Sequence, residues 1–325
     1  MAPVLVLGEA LMDRLSSGPV AGGAPFNVAR SLAALGLPVR LISRIGAQDE
    51  GGDLVLQSAA RCGLDTSGIQ RDAAHATGAV TVHSAQGNHW FDIHENAAWD
   101  YLDATQALAA IPSQTPSFVY FGTLSQRSGD SRQAVRAVLE HTTALRYLDL
   151  NLRPPFTPRE LVAESLLRAD WLKVNDDELA TVFAWFMPEV PADTFVDGLG
   201  NPHALQPAVA ALLAQFSIKR LVLTLGASGW ATFDATGTCD AQGPAHTVAT
   251  LVDTVGAGDA FSAMLLAGIS SGLALQQCLP LAARYAAAMC EQRGPMAESI
   301  SYFELWRHRL RQAQQEAPWA PANLL

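Results

Sequence analysis

A chain of 325 residues, 49% hydrophobic and 16% charged, is long and apolar enough to bury a large core, which excludes intrinsic disorder. A formal net charge of -10, with no dense Lys/Arg run to override it, sets the surface against nucleic acid and anionic membranes, so neither is expected as a partner. The four cysteines, Cys62, Cys239, Cys278 and Cys290, form no CxxC pair, which argues against zinc and disulfides and for a reducing, cytoplasmic setting.

The N-terminal "MAPVLVLGEALMD" has no basic run and reaches Glu9 and Asp13 too early for a signal peptide. Within it "VLVLG" (4–8) reads as a strand, followed by the helix "PFNVARSLAALG" (25–36), stopped by Gly36. "VRLISRIG" and "EGGDLVLQSAARCG" repeat that order. The stretch "AVTVHSAQGNHWFDIHE" (79–95) breaks it, because "SAQGN" joins two strand-like runs with no helix between them. The spacing predicts a hairpin in a small β flap drawn from about residues 10–20 and 75–97, with His89 and His94 as exposed strand residues. Alternation then resumes through "FVYFG", "LRYLDLN" and "DWLKVN", each followed by a helical pattern. Residues 188–203 read as loop. The strand "RLVLTLG" (220–226) precedes two further strand-like runs, "GWATFDA" and "AHTVAT", and the last third is helical. The apolar region 260–290 is broken by Ser270, Ser271, Gly272, Gln276, Gln277 and Arg284, and so reads as two buried helices rather than a membrane span.

This pattern implies an α/β fold, one domain over 1–325, with a central mostly parallel sheet covered by helices on both faces. Ligands of such sheets bind beyond the carboxyl ends of the strands, where Gly8, Glu9, Asn151, Asn175 and Gly226 fall.

The richest stretch is "DTVGAGDAF" (253–261). There is no GxxxxGK[ST] and no GxGxxG after the first strand, which leaves Gly256-Ala257-Gly258-Asp259 opening the helix "AFSAMLLAGI". The first amides of a helix lack intrahelical partners, and side chains this small let an anion approach them. By itself the stretch reads equally as a turn capped by Asp259. Asp253 reads as a turn residue.

"DTVGAGDAF" resembles the C-terminal signature D-T-x-G-A-G-D of the ribokinase-like (PfkB) carbohydrate kinases. Other stretches resemble the family in the same order. "GEALMD" places Asp13, whose carboxylate suits two hydroxyls, beside Glu9, taken as structural. "GGAPFNVARSLAALG" (22–36) places Gly22 and Gly23, which allow close backbone approach, before Asn27, with one donor and one acceptor group. "DLNLRPP" (149–155) carries Arg153, a planar fork for phosphate or sugar oxygens, unless it is a surface residue before two prolines. "NDDE" (175–178) matches N-x-x-E, although Asn175 with three acids also reads as a helix cap. "TLGASGW" (224–230) resembles the nucleotide segment.

The resemblance covers about residues 4–295. It implies a ribokinase-like kinase that uses ATP and Mg²⁺, leaves room for a monovalent cation such as K⁺, and closes the flap as a lid. Asp259 would be the general base and Gly256, Ala257 and Gly258 the anion hole, its charge favoured by the helix end. Asp13, Gly22, Gly23, Asn27 and Arg153 would hold the sugar. Asn175, Thr224, Gly226, Gly229, Gly256 and Gly258 would hold the nucleotide, and Glu178 the metal. Fructokinase-like members are nearest in look, which makes fructose the expected acceptor. Ribokinase, 2-keto-3-deoxygluconate kinase and nucleoside kinase are the alternatives, and a non-catalytic sugar-binding regulator is the alternative of another class. Pairing through the flap would make a homodimer. "RGPMAES" replaces the commoner "PGA" run, leaving the adenine wall near 285–298 and the cation site open.

Overall fold

The computed structural model describes residues 1–15, 18–85, 88–191, 194, 198, 200–297 and 300–316. The first part of the chain forms β1 (Val4–Leu7), β2 (Leu11–Leu15), β3 (Gly18–Gly22), α1 (Ala24–Ala34), β4 (Val39–Gly46), α2 (Glu50–Cys62) and β5 (Ile69–Asp72). The middle adds β6 (Gly78–Ala85), β7 (Asn88–Ile93), α3 (Ala104–Ala109), β8 (Phe118–Phe121), α4 (Gly129–His141), β9 (Leu145–Asp149), α5 (Arg159–Leu166), β10 (Trp171–Asn175) and α6 (Asp176–Phe186). The remainder holds α7 (Gln206–Phe216), β11 (Arg220–Thr224), β12 (Trp230–Phe233), β13 (Cys239–Gly243), α8 (Ala257–Ser270), α9 (Leu275–Met289) and α10 (Ile300–Glu316).

Nine of these strands form one sheet in the order β13-β12-β11-β10-β9-β8-β1-β4-β5. Seven run parallel, and β12 and β13 close one edge antiparallel. A strand covered on both faces must be apolar at every position, which explains the unbroken run in β1. Val4 and Val6 pack with α1 and α8 on one side, while Leu5 and Leu7 pack with α4, α6 and α7 on the other. All four are 0% exposed.

A second sheet, ordered β3-β2-β6-β7, draws on residues 11–22 and 78–93. Its β6–β7 pair is the antiparallel hairpin expected from "SAQGN". Leu11, Val80 and Ile93 of this sheet share a small apolar cluster with Trp99 and Leu124, which seats it on the main body.

Four sequence expectations change. "AHTVAT" is not a strand: the pairing of β12 with β13 ends where Trp230 meets Gly243, and Pro244, with no amide to donate, carries the chain away. β5, an edge strand paired with β4, was not recognised from the sequence. His94 is half-buried, with Nε2 3.1 Å from the Thr81 hydroxyl, whereas the side chain of His89 lies outside the described residues. The expected 188–203 loop is also partly helical: residues 194, 198 and 200 are in α-helix and Pro202–Leu205 form a 3-10 turn, while 192–193, 195–197 and 199 lie outside the described residues. Among the described residues all four cysteines are free, and no helix is long and apolar enough to cross a membrane.

Arg127 couples the second sheet to the body. Its guanidinium donates to both Asp100 oxygens at 2.7 Å and to the His94 carbonyl at 2.6 Å. It lies 4.0 Å from the Trp99 ring centroid and 4.7 Å from that of Phe156. Both members of the ion pair are buried, so removing one strands a charge. Arg127→Met is expected to destabilise the fold by about 3–5 kcal/mol in a denaturant titration. Adding Asp100→Asn should recover part of the loss, and a double variant no more stable than the single one would contradict this account.

Candidate active site

The polar residues converge where the β strands end and α8 begins. Gly256, at φ 81°, turns the chain into α8, and a Cβ at this position would lie 2.7 Å from Pro295 Cα. Ala257 departs from expectation: its amide closes the turn by donating to the Thr254 carbonyl at 3.2 Å and so is not a free anion donor. The amides of Gly256, Gly258 and Asp259 have no acceptor among the described residues, which leaves them as the helix-end donors. Asp253 is a turn residue, accepting from the amides of Val255 and Gly294, both at 3.0 Å.

Lys173, passed over in the sequence as a strand residue, lies beneath this cradle. Its Nζ is 3.1 Å from where a Cβ on Gly258 would stand. It donates to Asp149 Oδ1 at 3.0 Å, and Asp149 Oδ2 accepts from the Ser262 hydroxyl at 2.9 Å. Burial would lower the Lys173 ammonium, but the carboxylates of Asp149 and Glu178 outweigh it and hold it above its ordinary value. A chemistry-bearing lysine is visible in sequence only as a polar break in the apolar run "WLKVN".

Asp259 faces the N-terminal half of the chain. Its Oδ2 accepts from Asn27 Nδ2 at 2.8 Å, and Asn27 Oδ1 accepts from Arg30. Both ends of the Asn27 amide are therefore engaged within the protein, where the sequence suggested a group free for a hydroxyl. Burial pushes the Asp259 carboxyl up to about 6, the Asp149 charge adds to the rise, and the Asn27 bond opposes it. The helix end was expected to favour the ionised form; desolvation is the larger effect.

Asp13, on β2, is pushed up to about 6 by burial, with Arg30 opposing. It fits because Gly22, across the β2–β3 pair, has no side chain: a Cβ there would sit 1.9 Å from Asp13 Oδ2. Gly23 (φ 102°) caps α1 with its Cβ direction blocked 2.6 Å away by the Glu9 carbonyl. Glu9, taken as structural from sequence, is a buried titratable group pushed up to about 7 by burial, and its Oε2 has no partner among the described residues. Arg153 completes this end. Asn151 (φ 43°), in a region Asn tolerates, turns the chain after β9. The Arg153 charge is then close enough to lower Glu9, Asp13 and Asp259.

On the opposite side, a cleft of about 730 Å³ is lined by Lys173, Asn175, Thr224, Gly226, Gly229 and Gly258, with Trp230, Val248, Leu251 and Phe261 as apolar walls. Gly229 is also required by packing, since a Cβ there would meet the Gly243 carbonyl at 2.1 Å. Asn175 and Glu178 form a capping box: Asn175 Oδ1 accepts from the Glu178 amide, and Glu178 Oε2 from the Asn175 amide. Glu178 Oε1 accepts from Leu152 N at 2.9 Å, so each carboxylate oxygen already takes one backbone donor. Among the described residues no group of three or more His, Cys, Asp or Glu side chains could hold a metal ion.

A family model described as pfkB family carbohydrate kinase matches residues 16–301. A protein named Fructokinase from Escherichia coli is 28% identical over 332 residues, covering 91% of this chain and 95% of its own. In three dimensions the chain is similar to a fructokinase from Xylella fastidiosa with bound ATP (TM-score 0.76, 23% identity, 97% of this chain and 99% of the other). It is also similar to a putative ribokinase II from E. coli in complex with ATP and Mg²⁺ (TM-score 0.75, 22% identity, 95% and 100%).

Three neighbouring carboxyls with raised pKa values have a consequence for stability. A carboxyl raised in the folded state stabilises fully below its unfolded pKa, and that contribution is lost as pH rises through about 6 for Asp13 and Asp259 and about 7 for Glu9. Asp13→Asn should therefore melt at a higher temperature than the parent near about pH 8, with the gap closing towards about pH 4. A gap that widens on acidification would refute the assignment.

Proposed function

The chain belongs to the pfkB family of carbohydrate kinases, and from that premise we propose that it is a fructokinase, transferring the γ-phosphoryl group of ATP to a hydroxyl of fructose. The observation that carries the reading is Asp259, a half-buried carboxylate in the first turn of α8, oriented by Asn27 and flanked by helix-end amides that have no partner among the described residues. The name and coverage of the E. coli relative support fructose as acceptor.

Phosphoryl transfer asks for positioning and charge stabilisation more than covalent chemistry. Asp13 and Arg153 bind the sugar, with Gly22 and Gly23 leaving room for close approach. Asp259 takes the proton of the attacking hydroxyl, and a base titrating near about 6 is mostly ionised yet still basic enough to accept it. The amides of Gly258 and Asp259, together with Lys173, stabilise charge on the transferring group. The cleft lined by Thr224, Gly226 and Gly229 takes ATP, the nucleobase lying against its apolar walls.

Mg²⁺ entering with ATP supplies charge neutralisation on the phosphates. It keeps most of its waters, and Glu178, with lone pairs to spare beyond its two backbone donors, fits contact through water. The second sheet, carrying Asp13, acts as a lid that excludes water, and its outer face pairs two copies as a homodimer.

Asp259→Asn should fold and bind sugar but lose roughly 10²–10⁴ in turnover. In the parent, turnover should rise with pH through a limb near about 6 as Asp259 ionises, a limb absent from the variant's residual activity. Near-parental turnover of the variant would remove Asp259 from its role. ADP release measured with fructose, ribose, 2-keto-3-deoxygluconate and nucleosides tests the acceptor. Strong turnover on another sugar would replace fructose without touching the mechanism.

A further inference from the structure

One turn along α1 from Asn27, Arg30 borders a separate cavity of about 400 Å³ enclosed by β3, α1, α2, the 293–297 segment and α10. Arg61, Arg293 and Arg307 line it as well, and none of the lining residues is acidic. That is unusual in a chain with 31 acids against 21 Lys and Arg. None of the four guanidinium groups has a carboxylate within ion-pair distance among the described residues. Arg30 is 5% exposed, and among the described residues its Nε has no hydrogen-bond partner. Guanidinium forks match phosphate and carboxylate oxygens, so four arginines lining one cavity with no paired carboxylate create a positive potential that an anion relieves, even with Asp13 and Asp259 acting on Arg30 from the far side.

Two walls of the cavity are also the supports of the candidate active site. Arg30 donates to Asn27 Oδ1, which fixes the amide so that Nδ2 faces Asp259. It also donates to the Ala21 carbonyl at 3.1 Å, on the strand that pairs with β2. Pro295, on another wall, is the residue pressed against Gly256.

We propose that this cavity is a regulatory site for a small dianionic metabolite, a phosphate ester or a dicarboxylate, whose occupancy reaches Asp259 through Arg30–Asn27 and the cradle through Pro295–Gly256. Its size suits a compact metabolite, and Ser58 and Gln57 offer polar contacts beside the arginines. The binding site stands without the kinase reading; only its effect on turnover rests on that reading.

Calorimetric titration of the full chain with glycerol 3-phosphate and, separately, with malate reads binding directly and tells the two chemistries apart. At least one should bind with a dissociation constant below about 1 mM. Arg61→Ala/Arg307→Ala, at one exposed and one half-buried position away from the sugar and nucleotide residues, should weaken it at least roughly tenfold. Without anion the double variant should turn over like the parent; with anion, only the parent should respond. No binding to the parent, or equal binding to both proteins, would overturn the site. Binding that leaves parental turnover unchanged would overturn the coupling. A chain that phosphorylates no sugar would defeat the kinase reading, while calorimetry still decides the site.

Discussion

The ion pair between Lys173 and Asp149 underlies the arrangement at the head of α8. Asp149 ends β9, Lys173 stands opposite it in the middle of the adjacent β10, and Ser262 ties the pair to the helix above. Tyr120 adds its hydroxyl to Asp149 at 3.3 Å, and Tyr147 meets Ser262 at 3.2 Å. Desolvating two charges often costs as much as their attraction returns, so the pair is poorly explained as a source of stability. It is better explained by where it holds an ammonium: beneath helix amides that already favour an anion. Sheet, helix dipole and lysine are aimed at one point by a single buried contact.

Around that point the protein gathers charge it would be more stable without. Glu9, Asp13 and Asp259 are each raised chiefly by burial, and Asp259 raises both Glu9 and Asp13. Arg30, Arg153 and Lys173 offset part of the repulsion. Sites that shift several pKa values at once are functional candidates on physical grounds, because a fold selected only for stability would replace such a cluster with apolar side chains. The second sheet, held by the Arg127–Asp100 pair, carries one of the three carboxylates and so belongs to the same electrostatic unit.

Much of this was legible in the sequence for identifiable reasons. The alternation of apolar strands and helices is forced by burial on both faces of the sheet, and a Gly-Ala-Gly run before an apolar helix can be read as an anion cradle without coordinates. What escaped were groups whose chemistry depends on distant partners. Lys173 is one polar residue in a strand, and nothing local announces Asp149. Arg30 looks like the polar side of α1 until Asn27 and the cavity are seen on either side of it. Glu178 was legible twice, as a cap and as a metal contact, and its backbone bonds show the cap at work. "AHTVAT" alternates like a strand, but only the register of β12 on β13 reveals that the sheet has already ended at Gly243.

The contact between Gly256 and Pro295 also orders events during synthesis. Domains emerge from the ribosome N-terminal end first, and the residues from Glu9 to Asn27, proposed above to face the sugar, are among the earliest to appear. Asp259 meets Asn27 across 232 positions of sequence, and the turn at Gly256 takes its shape against a segment later still. A nascent chain therefore carries Asp13 and Asn27 well before the turn at Gly256 and the first turn of α8 can form against them. On the proposed function, nucleotide cleavage waits for the end of synthesis.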